Sequence, residues 1–221
     1  MTTIAVIDHG AGNLVSIEQA LQVAGARTVR VTRPAELDGD GLVMPGVGSA
    51  GAAMGRLRRQ GLDGAVRSWA LDGRPFLGIC LGMQLLYEAS DEDGSTMLGI
   101  LPGRVRRLTG AQRLPHMGWN QVRLRRPHPL FAGIPDGTDF YFVHSYAAGT
   151  GAEPGAGGLD ARSATGVTAA DPILGVTEYG EAFGSAVADG SLAGVQFHPE
   201  RSGHDGLRLL ANFVAIAGGR P

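Results

Sequence analysis

The sequence FLGICLGMQ, residues 76–84, contains the only cysteine of the chain. The apolar run before Cys80 predicts a strand buried on both faces, and the residues after it, up to Ala89, are good helix formers. Gly78 and Gly82 stand two residues before and two residues after the cysteine. Glycines at these positions let the backbone turn sharply from strand to helix and leave the central side chain exposed at the end of a sheet. The pattern predicts that Cys80 is a nucleophile on a strand-to-helix elbow.

A thiol at such an elbow differs chemically from an ordinary cysteine. Cys80 would lie at the start of a helix, where unpaired backbone N–H groups favour the thiolate, the form that attacks carbonyl groups. The backbone N–H of Leu81, the next residue, can stabilise an oxyanion formed by that attack. The alternative is a buried structural cysteine, because free cysteines are often fully buried. The flanking glycines and the helix start favour the nucleophile.

The composition narrows the class of protein. With 221 residues, 43% of them apolar, the chain can bury a sizeable core, and we expect a single domain over residues 1–221. One cysteine excludes an internal disulfide, and the first residues lack a basic export segment, so we expect a cytoplasmic location.

The composition also argues against several classes of function. No apolar stretch approaches the ~20 residues that span a membrane. A net charge of −2 argues against a general nucleic-acid surface, and the absence of lysine excludes Schiff-base and P-loop lysine chemistry.

Alternating or continuous apolar runs predict strands separated by helices. The strand candidates are residues 3–7, 28–32, 41–44, 76–79, 104–108, 121–125, 140–143, 174–178, 182–187 and 192–197. Apolar residues at helical spacing predict helices at 17–24 and 207–217. The glycine-rich stretch from Gly149 to Leu159 is predicted to be a loop. The order of elements indicates an α/β protein with additional short strands in its second half.

A second glycine-bearing segment, residues 45–51 (PGVGSAG), follows the third strand candidate. Its glycines match the G-x-G-x-x-G pattern of dinucleotide-binding loops. Such sites also need an acidic residue that caps the next strand, but Asp72 precedes that strand instead. The nucleotide site is therefore the weaker of two interpretations.

The other interpretation places this glycine-bearing loop beside Cys80. In a parallel sheet the ends of neighbouring strands open on one side, so the loop and the elbow can face each other. A backbone N–H at Val47 or Gly48 would then join that of Leu81 in an oxyanion hole.

A cysteine nucleophile needs an imidazole that accepts and returns a proton, and a group that orients the imidazole. His198 follows a strand candidate and precedes Pro199, which biases the histidine towards an extended conformation. Residues two apart in an extended chain lie on one side, so the Glu200 carboxylate can accept the Nδ1–H of His198 and leave Nε2 free to face Cys80. An exposed His-Pro-Glu turn is the alternative.

The remaining histidines carry less chemical information. His116, His128 and His204 have no paired acid and are predicted to be surface or structural residues, whereas His9 and His144 lie at strand ends. Their scattered spacing does not form a metal site, so we expect no metal.

Three motifs together, residues 45–48 (PGVG), 78–84 (GICLGMQ) and 198–200 (HPE), resemble the class I glutamine amidotransferase family. The resemblance extends from Ile4 to about Phe213. It implies a flavodoxin-like α/β fold with a mixed, mainly parallel central sheet that is flanked by helices and carries extra strands in the second half. It also implies hydrolysis of glutamine to glutamate and ammonia without a cofactor.

The resemblance further implies roles for individual residues. Cys80, His198 and Glu200 match the catalytic positions of the family. A second set matches positions that help to hold L-glutamine: Gln84, His144, Ser145 and Tyr146.

A narrower resemblance is carried by residues 8–14, 115–120 and 141–146. It points to family members that pass ammonia to a separate cyclase subunit with a (β/α)8 barrel, in a heterodimer. Asn13, Trp119 and Asn120 look like the residues that face this partner, because no core argument requires an indole and amides in loops.

The same residues also fit other functions. The chain can be a stand-alone cysteine hydrolase, or the glutaminase of another amidotransferase with the same fold. A binding module with a degraded active site is a third reading, although all three candidate catalytic residues are present.

Overall fold

The computed structural model describes residues 1–151 and 171–219. The loop predicted from Gly149 to Leu159 therefore lies mostly outside the described residues. Within the two described ranges, no helix has the length and apolar character needed to cross a membrane.

Twelve strands and five helices form in the described residues. The strands are β1 Thr3–Ile7, β2 Arg27–Val31, β3 Gly41–Gly46, β4 Phe76–Cys80, β5 Ala89–Ser90, β6 Arg104–Arg107, β7 His116–Leu124, β8 Thr138–His144, β9 Tyr146–Ala148, β10 Ile173–Glu178, β11 Ala182–Asp189 and β12 Leu192–Val195. The helices are α1 Leu14–Val23, α2 Ala50–Gln60, α3 Leu62–Leu71, α4 Leu81–Gln84 and α5 Gly203–Ala217. Short 3₁₀ helices occupy Pro34–Glu36, Pro129–Phe131 and Pro199–Arg201.

The strands of the described chain join in one sheet, in the order β2-β1-β3-β4-β12-β11-β10-β7-β8. The five strands from β2 to β12 run parallel, and each neighbouring pair from β12 to β8 is antiparallel. Strand β9 pairs with β11 and β6, and β5 pairs with β6. The predicted fold class, a parallel centre with extra strands from the second half of the chain, is confirmed.

Both faces of the parallel strands β1, β3, β4 and β12 are covered, whereas the edge strand β2 is mostly exposed or half-buried. On β1, Ile4 and Val6 belong to a core that includes residues of α1 and α5. Ala5 and Ile7 alternate with them and belong to the opposite core, with residues of α2 and α3. A strand covered on both faces has a continuous apolar sequence, and β4 is accordingly buried along its whole length.

The helix after Cys80 is shorter than the sequence predicts. It ends at Gln84, although good helix formers continue to Ala89. The carbonyl groups of residues 85–87 accept hydrogen bonds from the backbone of residues 98–101 instead of from a further helical turn. The prediction was wrong because tertiary hydrogen bonds outweigh local helix propensity. The helix dipole expected to favour the thiolate is correspondingly small.

The elbow depends on the two glycines that flank Cys80. A Cβ atom at Gly82 would lie 1.7 Å from the carbonyl oxygen of Met44 on β3. A Cβ atom at Gly78 would lie 2.7 Å from the carbonyl oxygen of Gly82. The elbow backbone therefore packs directly on the neighbouring strand, which only a residue without a side chain permits.

Gly82→Ala is expected to lower the free energy of unfolding by about 3 kcal/mol or more, because its methyl group would overlap a backbone carbonyl that cannot move independently. Urea unfolding measures the change. The matched control is Gly64→Ala, at an exposed position of α3 with open space around the added Cβ. That substitution should raise stability by about 0.5 kcal/mol through helix propensity. Equal stabilities for the two variants would contradict the packing argument.

Candidate active site

Three parallel strands end side by side at one edge of the sheet. The register pairs Gly46 of β3 with Cys80 of β4, and Ile79 of β4 with Val195 of β12. The loop after β3, the elbow and the chain after β12 therefore meet, and they border a cavity of about 330 Å³. Its lining residues are Val47, Gly48, Cys80, Leu81, Gln84, Glu92, Pro115, Val143, His144, Ser145, Tyr146 and His198.

The cavity brings together the predicted nucleophile, the predicted base, the three predicted oxyanion-hole residues and the four predicted glutamine-binding residues. Glu200 lies behind His198, with its carboxylate bonded to the imidazole. A larger cavity of about 730 Å³ lies at residues 124–136 and is lined by none of the predicted site residues.

Cys80 has an unusual backbone. Its angles are φ 53° and ψ −111°, and within residues 1–151 and 171–219 no other non-glycine residue has a positive φ. Such a conformation costs on the order of 1–3 kcal/mol and persists only where the surrounding structure holds it. The side chain is 6% exposed and borders the cavity. The thiol is therefore neither sealed in the core nor free on the surface.

His198 is fixed by its carboxylate neighbour. Its Nδ1 lies 2.8 Å from Oε1 of Glu200, and both side chains are almost completely buried. Burial by itself lowers the pKa of His198, but the interactions with Cys80 and with the Glu200 carboxylate outweigh burial and raise that pKa to about 10. Since Nδ1 donates to Glu200, Nε2 is the atom left for proton exchange, and it has no fully formed hydrogen bond among the described residues.

The loop after β3 is held from the opposite side. At the start of α2, Glu92 accepts a hydrogen bond from the N–H of Ala50, and Asp93 accepts one from the N–H of Gly51. The side chain of Ser49 accepts a third, from Ala52. Carboxylates of the chain itself therefore occupy the helix start, where a nucleotide phosphate would bind. The nucleotide interpretation of this glycine loop loses its support.

Gln84 has only one polar atom left for a ligand. Its Nε2 donates to the carbonyl oxygen of Tyr146 at 2.8 Å and to Oε1 of Gln196 at 2.9 Å. Those two bonds use both hydrogens of the amide nitrogen. The oxygen of Gln84 is therefore the atom that can accept a hydrogen bond from a molecule in the cavity.

Two buried histidines are paired at the cavity wall, where His144 lines the cavity and His116 is not among the lining residues. Nδ1 of His144 faces the carbonyl oxygen of Tyr146 at 2.9 Å, so this nitrogen carries a hydrogen. His116 Nδ1 then donates to His144 Nε2 at 3.1 Å, and Asn120 Nδ2 donates to His116 Nε2 at 3.2 Å. Burial lowers the pKa of His144 to about 3 and that of His116 to about 4, which keeps both rings neutral. His116 is structural, as expected from the sequence, and it is not a surface residue.

Two residues of the site were missed by the sequence argument: Glu92, which lines the cavity, and Gln196, which contacts Cys80 but is not among the lining residues. Gln196 is fully buried, and its Nε2 lies 3.6 Å from the Cys80 sulfur. Gln196 lies two residues before His198, which is extended, so alternation could have placed these two side chains on the same side of the chain. Glu92 comes from the acidic loop after the elbow, and nothing in the local sequence indicates that this loop folds back over the start of α2.

The residues predicted to face a partner lie outside the cavity lining. Trp119 is 58% exposed and packs edge-on against Tyr141, which pairs with it across β7 and β8. Asn13 is exposed and caps α1 by accepting a hydrogen bond from the N–H of Ser16. Asn120 is half-buried, and its amide is used within the chain, by His116 and by the carbonyl oxygen of Glu178.

A family model of class-I glutamine amidotransferases matches residues 5–217. The imidazole glycerol phosphate synthase subunit HisH of Moorella thermoacetica is 45% identical over 215 residues, which cover 96% of this chain and 94% of that protein. The protein of the same description from Symbiobacterium thermophilum is 46% identical over 215 residues, 96% of this chain and 93% of its own length.

A solved crystal structure of a glutamine amidotransferase has the same fold. It superposes with a TM-score of 0.69 at 21% identity and covers 97% of this chain and 98% of that one. The chain belongs to the class I glutamine amidotransferase family.

The neutral histidine pair predicts acid sensitivity. Both folded pKa values lie below the ordinary value of 6.5, so the unfolded chain binds more protons below pH 6.5 and stability falls from there towards pH 4. His116→Phe keeps the stacking on Phe142 and Tyr179 but removes one titrating ring. The stability difference between pH 7 and pH 5 should therefore shrink by about 1 kcal/mol, measured by urea unfolding at both pH values.

The control for this prediction is His204→Gln, which removes an exposed imidazole. It should leave the pH dependence of stability close to that of the wild type. A His116→Phe protein with an unchanged difference between the two pH values would show that His116 does not resist protonation in the folded state.

Proposed function

We propose that this chain is the glutaminase subunit of an imidazole glycerol phosphate synthase. It hydrolyses L-glutamine to glutamate and ammonia and passes the ammonia to a cyclase subunit that makes imidazole glycerol phosphate and an aminoimidazole carboxamide ribotide in histidine biosynthesis. The observation that carries the choice within the family is the 45–46% identity, over 96% of the chain, to synthase subunits of that description. Cys80 and His198 line the same cavity, and Glu200 bonds the imidazole of His198, which supports the chemistry.

Cys80, His198 and Glu200 share the reaction in two halves. The Cys80 thiolate attacks the side-chain amide carbon of glutamine, and the carbonyl electrons move onto the oxygen. His198 gives a proton to the amide nitrogen, the C–N bond breaks and ammonia leaves a thioester. His198 then takes a proton from water, whose oxygen attacks the thioester, and cleavage of the C–S bond releases glutamate and the thiolate. Glu200 holds Nδ1 throughout, so that Nε2 does the proton transfer.

The oxyanion of both tetrahedral intermediates would be stabilised by backbone N–H groups at the cavity edge. Leu81 follows the nucleophile directly, and Val47 and Gly48 border the same cavity from the neighbouring strand end. Donors on two adjacent strand ends would then act on the same oxygen atom.

The lining of the cavity fits the polar ends of glutamine. The free oxygen of Gln84 and the carboxylate of Glu92 are acceptors suited to the α-ammonium group. Among the described residues that line the cavity, Ser145 and Tyr146 supply hydroxyl and backbone N–H groups that would hold the α-carboxylate as neutral donors. His144 stays neutral and supports this wall rather than pairing with the carboxylate.

The cyclase partner, a (β/α)8 barrel, would bind the surface that carries Trp119. Met117 and Trp119 alternate on β7 with their side chains 62% and 58% exposed. Large exposed apolar side chains are typical of the centre of a protein interface. Trp119 contacts Tyr141, and the carbonyl oxygen of Tyr141 accepts a hydrogen bond from the backbone N–H of His198. Tyr141 therefore connects the surface of Trp119 to the proposed base. The single domain over residues 1–221 and the cytoplasmic location stay predictions.

Substitution of the three proposed catalytic residues separates their roles. Cys80→Ala should abolish glutamine hydrolysis, because no other nucleophile replaces the thiol. His198→Ala should lower kcat by about 10²–10⁴-fold, the usual contribution of an acid–base group. Glu200→Gln should cost less, about tenfold, since it alters orientation and charge but leaves the imidazole. Glutamate release by the complex with the cyclase measures each effect.

Two outcomes would contradict this proposal. Full turnover in Cys80→Ala would remove the thiol from the mechanism. A wild-type chain that hydrolyses glutamine alone at a rate unchanged by added cyclase would favour the stand-alone hydrolase. Circular dichroism of each variant controls for loss of the fold.

Trp119→Ala should weaken binding to the cyclase by about 10- to 100-fold, the usual effect of removing a central aromatic residue. Titration of labelled cyclase measures the dissociation constant. The control is Val23→Ala, which removes a 72% exposed apolar side chain at the opposite end of α1 from Asn13. Equal affinity of the Trp119 and Val23 variants would place the partner on another surface.

A further inference from the structure

We propose that Gln196 holds the Cys80 sulfur in its reactive position and stabilises the thiolate through an N–H donor. This inference rests on the proposed role of Cys80 as nucleophile, and it adds Gln196 to the residues that support the reaction. Gln196 lies directly after β12, two residues before His198, and has no exposed surface.

The orientation of the Gln196 amide follows from its neighbours. The carbonyl oxygen of Tyr146 can only accept a hydrogen bond, so the atom of Gln84 that faces it at 2.8 Å is the nitrogen. The same nitrogen faces Gln196 at 2.9 Å and donates to it, so the facing atom of Gln196 is the oxygen. The nitrogen of Gln196 is then the atom that points to the Cys80 sulfur, at 3.6 Å.

The burial of this amide argues for a role beyond packing. A buried amide that lacks hydrogen-bond partners costs roughly 1–3 kcal/mol, so an apolar side chain of the same size would fill the site at lower cost. The oxygen of Gln196 is satisfied by Gln84, and the described partner of its nitrogen is the sulfur of Cys80. The backbone N–H of Gln196 is bonded separately, to the carbonyl of Ser185, which fixes the chain at this point.

The consequence for the reaction is that the sulfur has an N–H donor besides the proposed base. Gln196 donates to the sulfur from the end of β12, and His198, two residues further on, lines the same cavity as Cys80. An N–H donor is worth more to a thiolate than to a thiol, because the charged acceptor forms the stronger hydrogen bond. Gln196 would thus increase the thiolate fraction and keep the sulfur from rotating away from the substrate amide.

Two variants of nearly equal size test this role. Gln196→Met removes the donor and the acceptor, and Gln196→Glu keeps an acceptor for Gln84 but places a carboxylate beside the sulfur. Cys80 is the only thiol of the chain, so iodoacetamide alkylation reports on it without background. The midpoint of the alkylation rate against pH should rise by about one pH unit in Gln196→Met and further in Gln196→Glu.

Turnover in the complex with the cyclase provides the second readout. We expect kcat to fall by about 10- to 100-fold in both variants while KM for glutamine changes by less than about threefold, because Gln196 contacts the sulfur and not the substrate. The control is Ser185→Ala, which alters a fully buried side chain next to Gln196 without touching its amide. It should leave the alkylation midpoint unchanged.

A folded Gln196→Met protein with the alkylation midpoint and kcat of the wild type would overturn the inference. If that variant does not fold, a folded Gln196→Glu protein with the alkylation midpoint and kcat of the wild type would overturn the inference instead.

Failure of the proposed function would give a different result. In that case the wild-type thiol would be alkylated no faster than a model thiol near neutral pH, and Cys80→Ala would retain turnover.

Discussion

The close packing of Gly82 on the carbonyl of Met44 is the constraint on which the site depends. It brings the elbow after β4 against the end of β3 and leaves Cys80 in a backbone conformation that few non-glycine residues adopt. The strain at Cys80 is offset by the surrounding parallel strands, which are buried on both faces and do not yield. A reactive sulfur at the edge of a cavity follows from the rigidity of backbone packing.

Buried polar side chains then determine the chemistry of the cavity. The amides of Gln84 and Gln196 and the rings of His116 and His144 have few alternative partners, so each hydrogen bond fixes the orientation of the next group. The direction of every bond follows from carbonyl oxygens, which can only accept. A buried polar group that loses its hydrogen-bond partner destabilises the folded state, so the network holds the cavity wall in one arrangement.

The two sides of the sulfur are supported differently. The start of α2, with the glycine loop before it, is held by Glu92 and Asp93. The base side is held by Glu200 behind the imidazole of His198. Carboxylates of the chain are thus used both to fix a loop of backbone donors and to orient a buried imidazole. These two uses explain why an acidic loop far from the His-Pro-Glu segment belongs to the same site.

Local sequence was enough for some features and not for others. Apolar runs and glycine spacing are short-range properties, so they located most of the strands and the elbow at Cys80. The predicted pairing of His198 with Glu200 is present, but Pro199–Arg201 forms a 3₁₀ helix and not the extended segment from which the pairing was argued. The helix after Cys80, the fold-back of Glu92, the burial of His116 and the approach of Gln196 to the sulfur depend on contacts between distant segments. Hydrogen bonds from residues 98–101 ended a helix that propensity alone would continue. The sequence by itself determined which groups are available for chemistry, because side-chain identity and local periodicity are written in it. Only the tertiary structure decided which of them meet, because packing across the sheet sets the distances between residues far apart in the chain.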